Sequence, residues 1–444
     1  MKLRHALALA LASASLPAHA ANWFQMQNTE PPKAPVYKFF GFVQPTYTSI
    51  SGDRVTGFTG KYNDHYALFN YVPPMNQSTS AFQFLRARLG VRGAINPHIN
   101  YFLLGEAGKN SITTKNDVAA TDAFLTFSYI PGVRIRVGQG RLPIGDEAMQ
   151  PAFADSEYIN FSAATLGLMN EIPTASYPAG AKTTSSAGLT NARTTGGAFA
   201  YRDLGVEVFD WFPHGKWEYA YALMASTGTG LYALGSDYGR GDISGRLQTS
   251  YVFGGKGLNR DDVTGYVWYE TGKRHFGGQD YTRTRYGIGG RYHQGKLRVS
   301  AEYLWGEGMI FTGLNPPFQA ISGVPAPVYQ VALADNNKAQ GGYLEGGYYL
   351  LPKLEFDLRY DYYDRLTNNA AAERVFKTWT LGAQYHFKPN LKLQFNYAIR
   401  TLDVPNASAI PAAAPLTAAQ AQANALAVAN SMGNLAALQL TWVF

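Results

Sequence analysis

Apolar and polar residues alternate along most of the chain, and the alternation is clearest between Val133 and Val137. Val133, Ile135 and Val137 lie on one face of this predicted strand, and Arg134 and Arg136 lie on the other. In a water-soluble core these arginines would be buried without partners, which is costly. In a transmembrane barrel one strand face contacts lipid and the other contacts a wet lumen. The pattern therefore predicts a membrane-spanning strand whose arginines face inward.

The same period-two pattern recurs from about residue 36 to the last residues, LQLTWVF. In SAFQFLRARLGVRGAI (80–95) Leu89 and Val91 share one face, whereas Arg86, Arg88 and Arg92 share the other. Sixteen strands are predicted, joined by seven short turns on one side and eight long loops on the other. The longest loops are 142–190, 306–339 and 403–432. The alanine-rich stretch 405–429 within the last of these is predicted to be a low-complexity loop with a helical turn or two.

Composition supports an exported membrane barrel. Lys2, Arg4, an apolar run and the sequence AHA before residue 21 predict a signal peptide over 1–20, followed by a periplasmic lead-in over 21–35 and the barrel over 36–444. The sequence contains no apolar run that is long enough for a membrane helix. There is no cysteine, which excludes disulfides, thiolate metal sites and haem attachment, whereas 30 Tyr, 25 Phe and 46 Gly are typical of outer-membrane strands. The predicted fold class is an all-β transmembrane antiparallel β-barrel of about sixteen strands in the bacterial outer membrane.

The alternation stops at Leu142, and the segment that follows is too aromatic and too patterned for a flexible linker. We expect it to fold inward as a constriction loop. Wall arginines opposite loop carboxylates would create a transverse field that filters solutes by charge; cross-strand pairs that only stiffen the wall are the alternative. The candidate lumen and constriction residues are Arg86, Arg88, Arg92, Arg134, Arg136, Asp146, Glu147, Asp155, Glu157, Arg283 and Arg285.

The sequence does not indicate an enzyme. It contains no HExxH or GxSxG motif, and its histidines have no recurrent spacing to possible partners, so no catalytic residue, metal or cofactor is predicted. The net charge of +7 is only a mild basic excess and gives no argument for nucleic acid. We predict a passive diffusion channel for small hydrophilic solutes with a modest preference for anions, and outer-membrane lipid as the other partner. The alternatives are a substrate-specific channel for a small organic acid, amide or phosphate, an adhesin or scaffold barrel, and a cytochrome sheath.

Several segments resemble the phosphate-selective porin O/P-type family. They are VRIRVGQGRLPIG, LRARLGVRG, YRDLGVEVF, YLEGGYYLLPKLEFDLRYDYYDR and LGAQYHFKPNLKLQFNYAIR. The resemblance implies a homotrimeric porin of sixteen strands whose third loop narrows the channel, and Phe444 resembles the assembly signal of bacterial barrels. Phosphate-specific members have lysine-rich, arginine-lined pores. The segment PIGDEAMQPAFADSEYINF (143–161) contains no lysine, which argues against a narrow phosphate filter.

Overall fold

The computed structural model describes residues 29–74, 76–110, 118–150, 158–170, 189–192, 201–231, 239–255, 260–276, 278–315 and 328–444. The predicted signal peptide and the first part of the lead-in lie outside these residues. So do Asp155 and Glu157, two of the predicted constriction residues.

Most of the described chain consists of β-strands. In chain order they are β1 (Lys38–Ile50), β2 (Arg54–Val55), β3 (His65–Tyr66), β4 (Ser80–Asn96), β5 (Ile99–Glu106), β6 (Ala119–Ile130), β7 (Val133–Arg141), β8 (Leu189–Ala192), β9 (Arg202–His214), β10 (Trp217–Ser226), β11 (Gly239–Gly254), β12 (Asp261–Phe276), β13 (Gln279–Gln294), β14 (Leu297–Gly308), β15 (Ile310–Asn315), β16 (Val328–Ala332), β17 (Lys338–Leu351), β18 (Leu354–Arg365), β19 (Arg374–Lys388), β20 (Leu391–Asp403) and β21 (Leu435–Val443). Sixteen of them, β1, β4–β7, β9–β14 and β17–β21, form one closed antiparallel barrel, which confirms the predicted fold class and strand number.

The two faces of the barrel wall follow the predicted alternation. Leu89 and Val137 point outward and are 61% and 44% exposed, whereas Arg88 and Arg136 point inward and are buried. The first strand pairs with the last, with Phe42 opposite Val443. Closure leaves no strand edge unpaired, and an apolar belt outside a polar interior is the arrangement a bilayer requires.

Two of the loop predictions were wrong. Not all eight connections on the loop side are long, because only two residues separate the end of β12 at Phe276 from the start of β13 at Gln279. The alanine-rich stretch contains more than a helical turn or two, since helix α1 spans the 13 residues Ala418–Asn430. Alanine has the highest helix propensity, and Thr417 and Gln420 form a reciprocal capping box at the N-terminus of α1. Within the described residues, no helix is both long and apolar enough to cross a membrane.

The long loops pack against one another in two places. In the first, Ala427 and Val428 of α1 pack against Val55 and Ala67 of the loop between β1 and β4. In the second, β16 pairs with both β15 and β8, so that a three-stranded sheet joins the loop after β14 to the loop after β7. These contacts hold the long loops on this side of the barrel to one another.

Candidate functional site

The loop that follows β7 folds into the barrel interior. Leu142 and Ile144 are buried against inward-facing wall residues, including Trp268 of β12 and Leu304 of β14. Further along the loop, Ala164 and Leu168 join the same apolar cluster. The described part of the loop therefore fills one side of the lumen, which confirms its predicted inward path.

Polar contacts attach this loop to three separated strands of the wall. The backbone N–H of Ile159 donates to Asn396 Oδ1 on β20 (2.8 Å), and that of Ala163 donates to an Asp361 oxygen on β18 (2.9 Å). On β13, Arg285 Nε donates to the carbonyl oxygen of Leu168 (3.0 Å). These strands lie within one run of neighbouring strands, from β20 to β13, so the loop is attached along one side of the lumen and narrows it.

Asp146 lies where the loop first meets strands β11, β13 and β14 of the wall. Its carboxylate accepts from Arg246 Nη2 at 3.2 Å and lies 3.7 Å from Arg291 Nη1. Its backbone N–H donates to Glu302 Oε2 at 2.9 Å. The preceding Gly145 adopts a φ of +30°, a conformation that favours glycine. The predicted constriction residue Asp146 is thus a buried contact between loop and wall.

Glu147 has a similar role on the other side of the loop. It pairs with Arg359 of β18 at 3.0 Å and accepts from the backbone N–H (2.7 Å) and hydroxyl (2.6 Å) of Ser162. Burial raises the pKa of the Glu147 carboxyl above its usual value, whereas Arg359 and the Ser162 hydrogen bonds oppose this rise. Glu147 therefore ties two points of the loop to each other and to the wall.

Most of the predicted lumen arginines pair with carboxylates on the adjacent strand. Arg134 and Arg136 contact carboxylates of β9, so they do not face Asp146 and Glu147 as expected. Asp155 and Glu157, the other two carboxylates of that expectation, lie outside the described residues. Side-chain parity predicts the face of the sheet but not the partner, and a neighbouring strand lies only about 5 Å away. The cross-strand pairs are Arg88–Glu106 (2.7 Å), Arg136–Glu207 (2.8 Å), Arg283–Glu270 (2.8 Å) and Arg134–Asp210.

The three remaining predicted arginines have different partners. Arg86 donates to Gln44 Oε1 on β1 at 3.0 Å, and Arg92 pairs with Glu30 at 2.9 Å. Arg285 donates to main-chain carbonyl oxygens, including that of Met309 at 2.7 Å. The nine predicted residues that the structure describes thus all face the interior, but they do not form one cluster.

Several inward ion pairs expose the cation and bury the anion. The exposed side-chain fractions are 24% for Arg134 against 8% for Asp210, 15% for Arg298 against 0% for Glu355, 24% for Arg291 against 1% for Asp146, and 23% for Arg92 against 7% for Glu30. Pairs on the loop side differ, since Arg240 and Asp280 (37% and 41%) and Lys377 and Asp403 (42% and 50%) are about equally exposed. These four pairs present more positive than negative charge to water, whereas Arg260 and Asp262 (4% and 12%) show the reverse order.

Sequence reasoning missed the uncharged part of the wall. Gln44, Gln384, Gln394 and Gln439 face inward and are buried on β1, β19, β20 and β21. They bond to one another and to nearby polar groups; for example, Gln394 Nε2 donates to Gln384 Oε1 at 3.2 Å. Gln394 has the same parity as Lys392 on β20, which is the signal that could have identified it, and Gln384 and Gln439 lie opposite Gln394 on β19 and β21.

Aromatic rings cover some of the arginines. The guanidinium of Arg136 lies 4.3 Å from the ring centroid of Phe124 and 4.5 Å from that of Phe209, and Arg134 lies 3.8 Å from that of Trp211. Such contacts stabilise a cation whose water has been removed. Within the described residues, no group of three or more His, Asp or Glu side chains could hold a metal ion.

Comparison with known proteins gives one family and a shared fold. The family model described as phosphate-selective porin O and P matches residues 59–205 and 264–413. Among curated protein sequences, none matches the chain.

Three solved structures share the architecture at low sequence identity. The anion-selective porin from Comamonas acidovorans is 12% identical, with 93% of this chain and 100% of that chain covered and a TM-score of 0.51. The outer membrane channel DcaP of Acinetobacter baumannii is 14% identical, with 92% and 97% covered and a TM-score of 0.51. Salmonella typhi OmpF, in complex with daunomycin, is also 14% identical, with 92% and 97% covered and a TM-score of 0.54.

Proposed function

This chain belongs to the phosphate-selective porin O and P family, and we propose that it passes small hydrophilic solutes with a modest preference for anions. It is a diffusion channel of the bacterial outer membrane, a channel rather than an enzyme. The residues that line the lumen support both the class of solute and the preference for anions.

The unequal exposure within the lumen ion pairs carries the proposed preference. Arg134 and Arg298 are each partly exposed, whereas their carboxylate partners are less exposed. An ion in the water path therefore approaches the guanidinium more closely than the carboxylate, and the nearer charge dominates the local potential. Because each cation still has a partner, the excess potential is small, which favours a modest preference over a tight anion filter.

The loop sequence supports a general channel over a phosphate filter. Residues 142–170 contain no lysine, and the two loop carboxylates that the structure describes, Asp146 and Glu147, are buried in contacts with wall arginines. A narrow site for a highly charged anion would need an excess of donors in the water path. We therefore do not extend the phosphate selectivity in the family's description to this chain.

Zero-current potentials in planar bilayers test the proposed preference. Under a KCl gradient the wild-type channel should be more permeable to chloride than to potassium. The double variant Arg134→Gln/Arg298→Gln should shift toward potassium, more strongly at 0.1 M than at 1 M salt because the screening length falls from about 10 Å to about 3 Å. The matched control is Arg240→Gln/Lys377→Gln on the loop side, which removes the same charge. A wild-type channel without chloride preference, or a control shift as large as that of the lumen variant, would refute the proposal.

Assembly and processing are proposed from the sequence. We expect a homotrimer, as the family resemblance implies, and native mass spectrometry of the detergent-extracted protein measures the number of chains. We also expect export to remove residues 1–20, so that the mature chain starts at Ala21. Intact-mass analysis would contradict this if the exported protein retained those residues.

A further inference from the structure

Glu302 lies at the contact between the constriction loop and the wall. This residue of β14 faces inward, and its side chain is buried beside those of Trp268 on β12 and Tyr343 on β17. Its carboxylate accepts three hydrogen bonds: from Trp268 Nε1 (2.7 Å), the Tyr343 hydroxyl (3.0 Å) and the backbone N–H of Asp146 (2.9 Å). Two bonds come from the wall and one comes from the loop, so this carboxylate joins the two.

The chemistry of the three partners requires an acceptor at this position. The indole and backbone N–H groups can only donate, and an ionised carboxylate can only accept. A glutamine would turn its NH₂ group toward either Trp268 or Asp146, because one of its two terminal atoms is a donor. Either orientation places a donor against a donor and leaves a buried N–H group without an acceptor, which costs free energy.

We propose that Glu302 is a positioning residue that sets the water path of the channel by holding the start of the constriction loop against the wall. The Asp146 N–H bond fixes the backbone at the point where the Asp146 carboxylate meets Arg246 and Arg291. Arg246 Nη1 also donates to the carbonyl oxygen of Gly145, one residue earlier, at 2.8 Å. Glu302 therefore acts on solutes through the loop and does not contact them. The inference rests on the channel function but not on the anion preference.

Thiol labelling measures the position of the loop directly. The chain has no cysteine, so Ile144→Cys introduces a single thiol next to Gly145, at a side chain that is 1% exposed. In the Ile144→Cys background, Glu302→Gln should increase the rate of labelling by a water-soluble thiol reagent roughly tenfold, because one unsatisfied buried N–H group shifts the loop toward a released state. The single-channel conductance and open-channel noise of Glu302→Gln should rise above those of the wild type.

A rescue variant separates positioning from general stabilisation. Adding Trp268→Phe to Glu302→Gln removes the conflicting donor, so that the glutamine oxygen can accept from Asp146 and its NH₂ group faces a ring. The double variant should label more slowly than Glu302→Gln and return most of the way to wild-type conductance, although it lacks one more hydrogen bond. Trp268→Phe alone completes the double-mutant cycle. A purely structural role predicts that the free-energy effects of the two substitutions add, so that their effects on the labelling rate multiply. Multiplied effects in the double variant would overturn the proposal.

A milder variant keeps the test decisive if Glu302→Gln does not assemble. Tyr343→Phe removes one of the three donors and leaves the Asp146 bond in place, so labelling of Ile144→Cys should increase roughly threefold. Heat-modifiable electrophoresis shows which variants form the barrel. An unchanged labelling rate in Tyr343→Phe and in any assembled Glu302→Gln protein would overturn the positioning role. An assembled wild-type protein that conducts no ions would instead refute the channel function.

Discussion

Asn70 joins the first and last long loops of the barrel, and its replacement by alanine should release them from each other. The side chain is fully buried; Nδ2 donates to the carbonyl oxygens of Ser431 (2.6 Å) and Asp53 (3.3 Å), and Oδ1 accepts from the backbone N–H of Gly433 (3.0 Å). Asn70→Ala leaves the Gly433 N–H group without this acceptor, which costs about 1–3 kcal/mol, and the two lost donated bonds add about 1 kcal/mol. We therefore expect a loss of about 2–4 kcal/mol in the free energy that holds the loops together.

Hydrogen exchange of residues 418–434 in detergent measures this release. A loss of 2 kcal/mol increases the open population, and hence the exchange rate, about 30-fold. The matched control is Asn63→Ala in the same loop, because Asn63 is exposed and its carboxamide oxygen accepts from the backbone N–H of Phe58, in the same loop, at 3.0 Å. Exchange in Asn70→Ala that is no faster than in Asn63→Ala would show that the loops are held by other contacts.

Two further predictions concern β4. Leu89→Arg places a charge on the lipid face and should lower the free energy of unfolding by about 2–4 kcal/mol near the bilayer midplane, as measured by urea titration of folding into vesicles. The control Leu89→Ala should cost less, and equal costs would mean that Leu89 does not contact lipid. Arg88→Ala leaves the buried Glu106 without its ion-pair partner and should lower the free energy of unfolding by about 3–5 kcal/mol in the same assay. Adding Glu106→Ala should recover part of this loss. A double variant that is less stable than Arg88→Ala would contradict the pairing.

The fold was predictable because its signals are local. Hairpins such as β17 and β18 follow from alternation and turn residues within a few positions of each other, and closure of an even number of strands follows from the membrane. The register between paired strands was harder to predict from the sequence. Between β1 and β4 the pairing shifts from Gln44–Arg86 to Pro45–Phe84, which leaves Leu85 as an extra residue. Proline lacks the N–H group that a regular ladder needs at that position, and bulges are among the places where it is tolerated.

The site was only partly predictable, since its contacts depend on the path of the loop. Parity places Arg134 and Asp210 on the inner face, but their pairing needs the adjacency of β7 and β9, which a long loop separates in sequence. Asp146 is only five residues beyond the end of β7 and yet pairs with Arg246 on β11, three strands away in the barrel, because the loop turns into the interior at once. The alternation along β14 places Glu302 on the inner face, but its three donors come from other parts of the chain, which alternation does not identify.

Pairing of the first barrel strand with the last has a consequence for how the protein folds. Phe42 and Val443 are about 400 residues apart, and bringing the ends of so long a flexible segment together costs about 5 kcal/mol of chain entropy. Non-local pairing of this kind is slow. Until β21 arrives, β1 and β20 expose unpaired backbone groups that can recruit strands of other chains. We therefore expect the nascent protein to depend on a chaperone that shields these two edges until β21 has paired with β1 and β20.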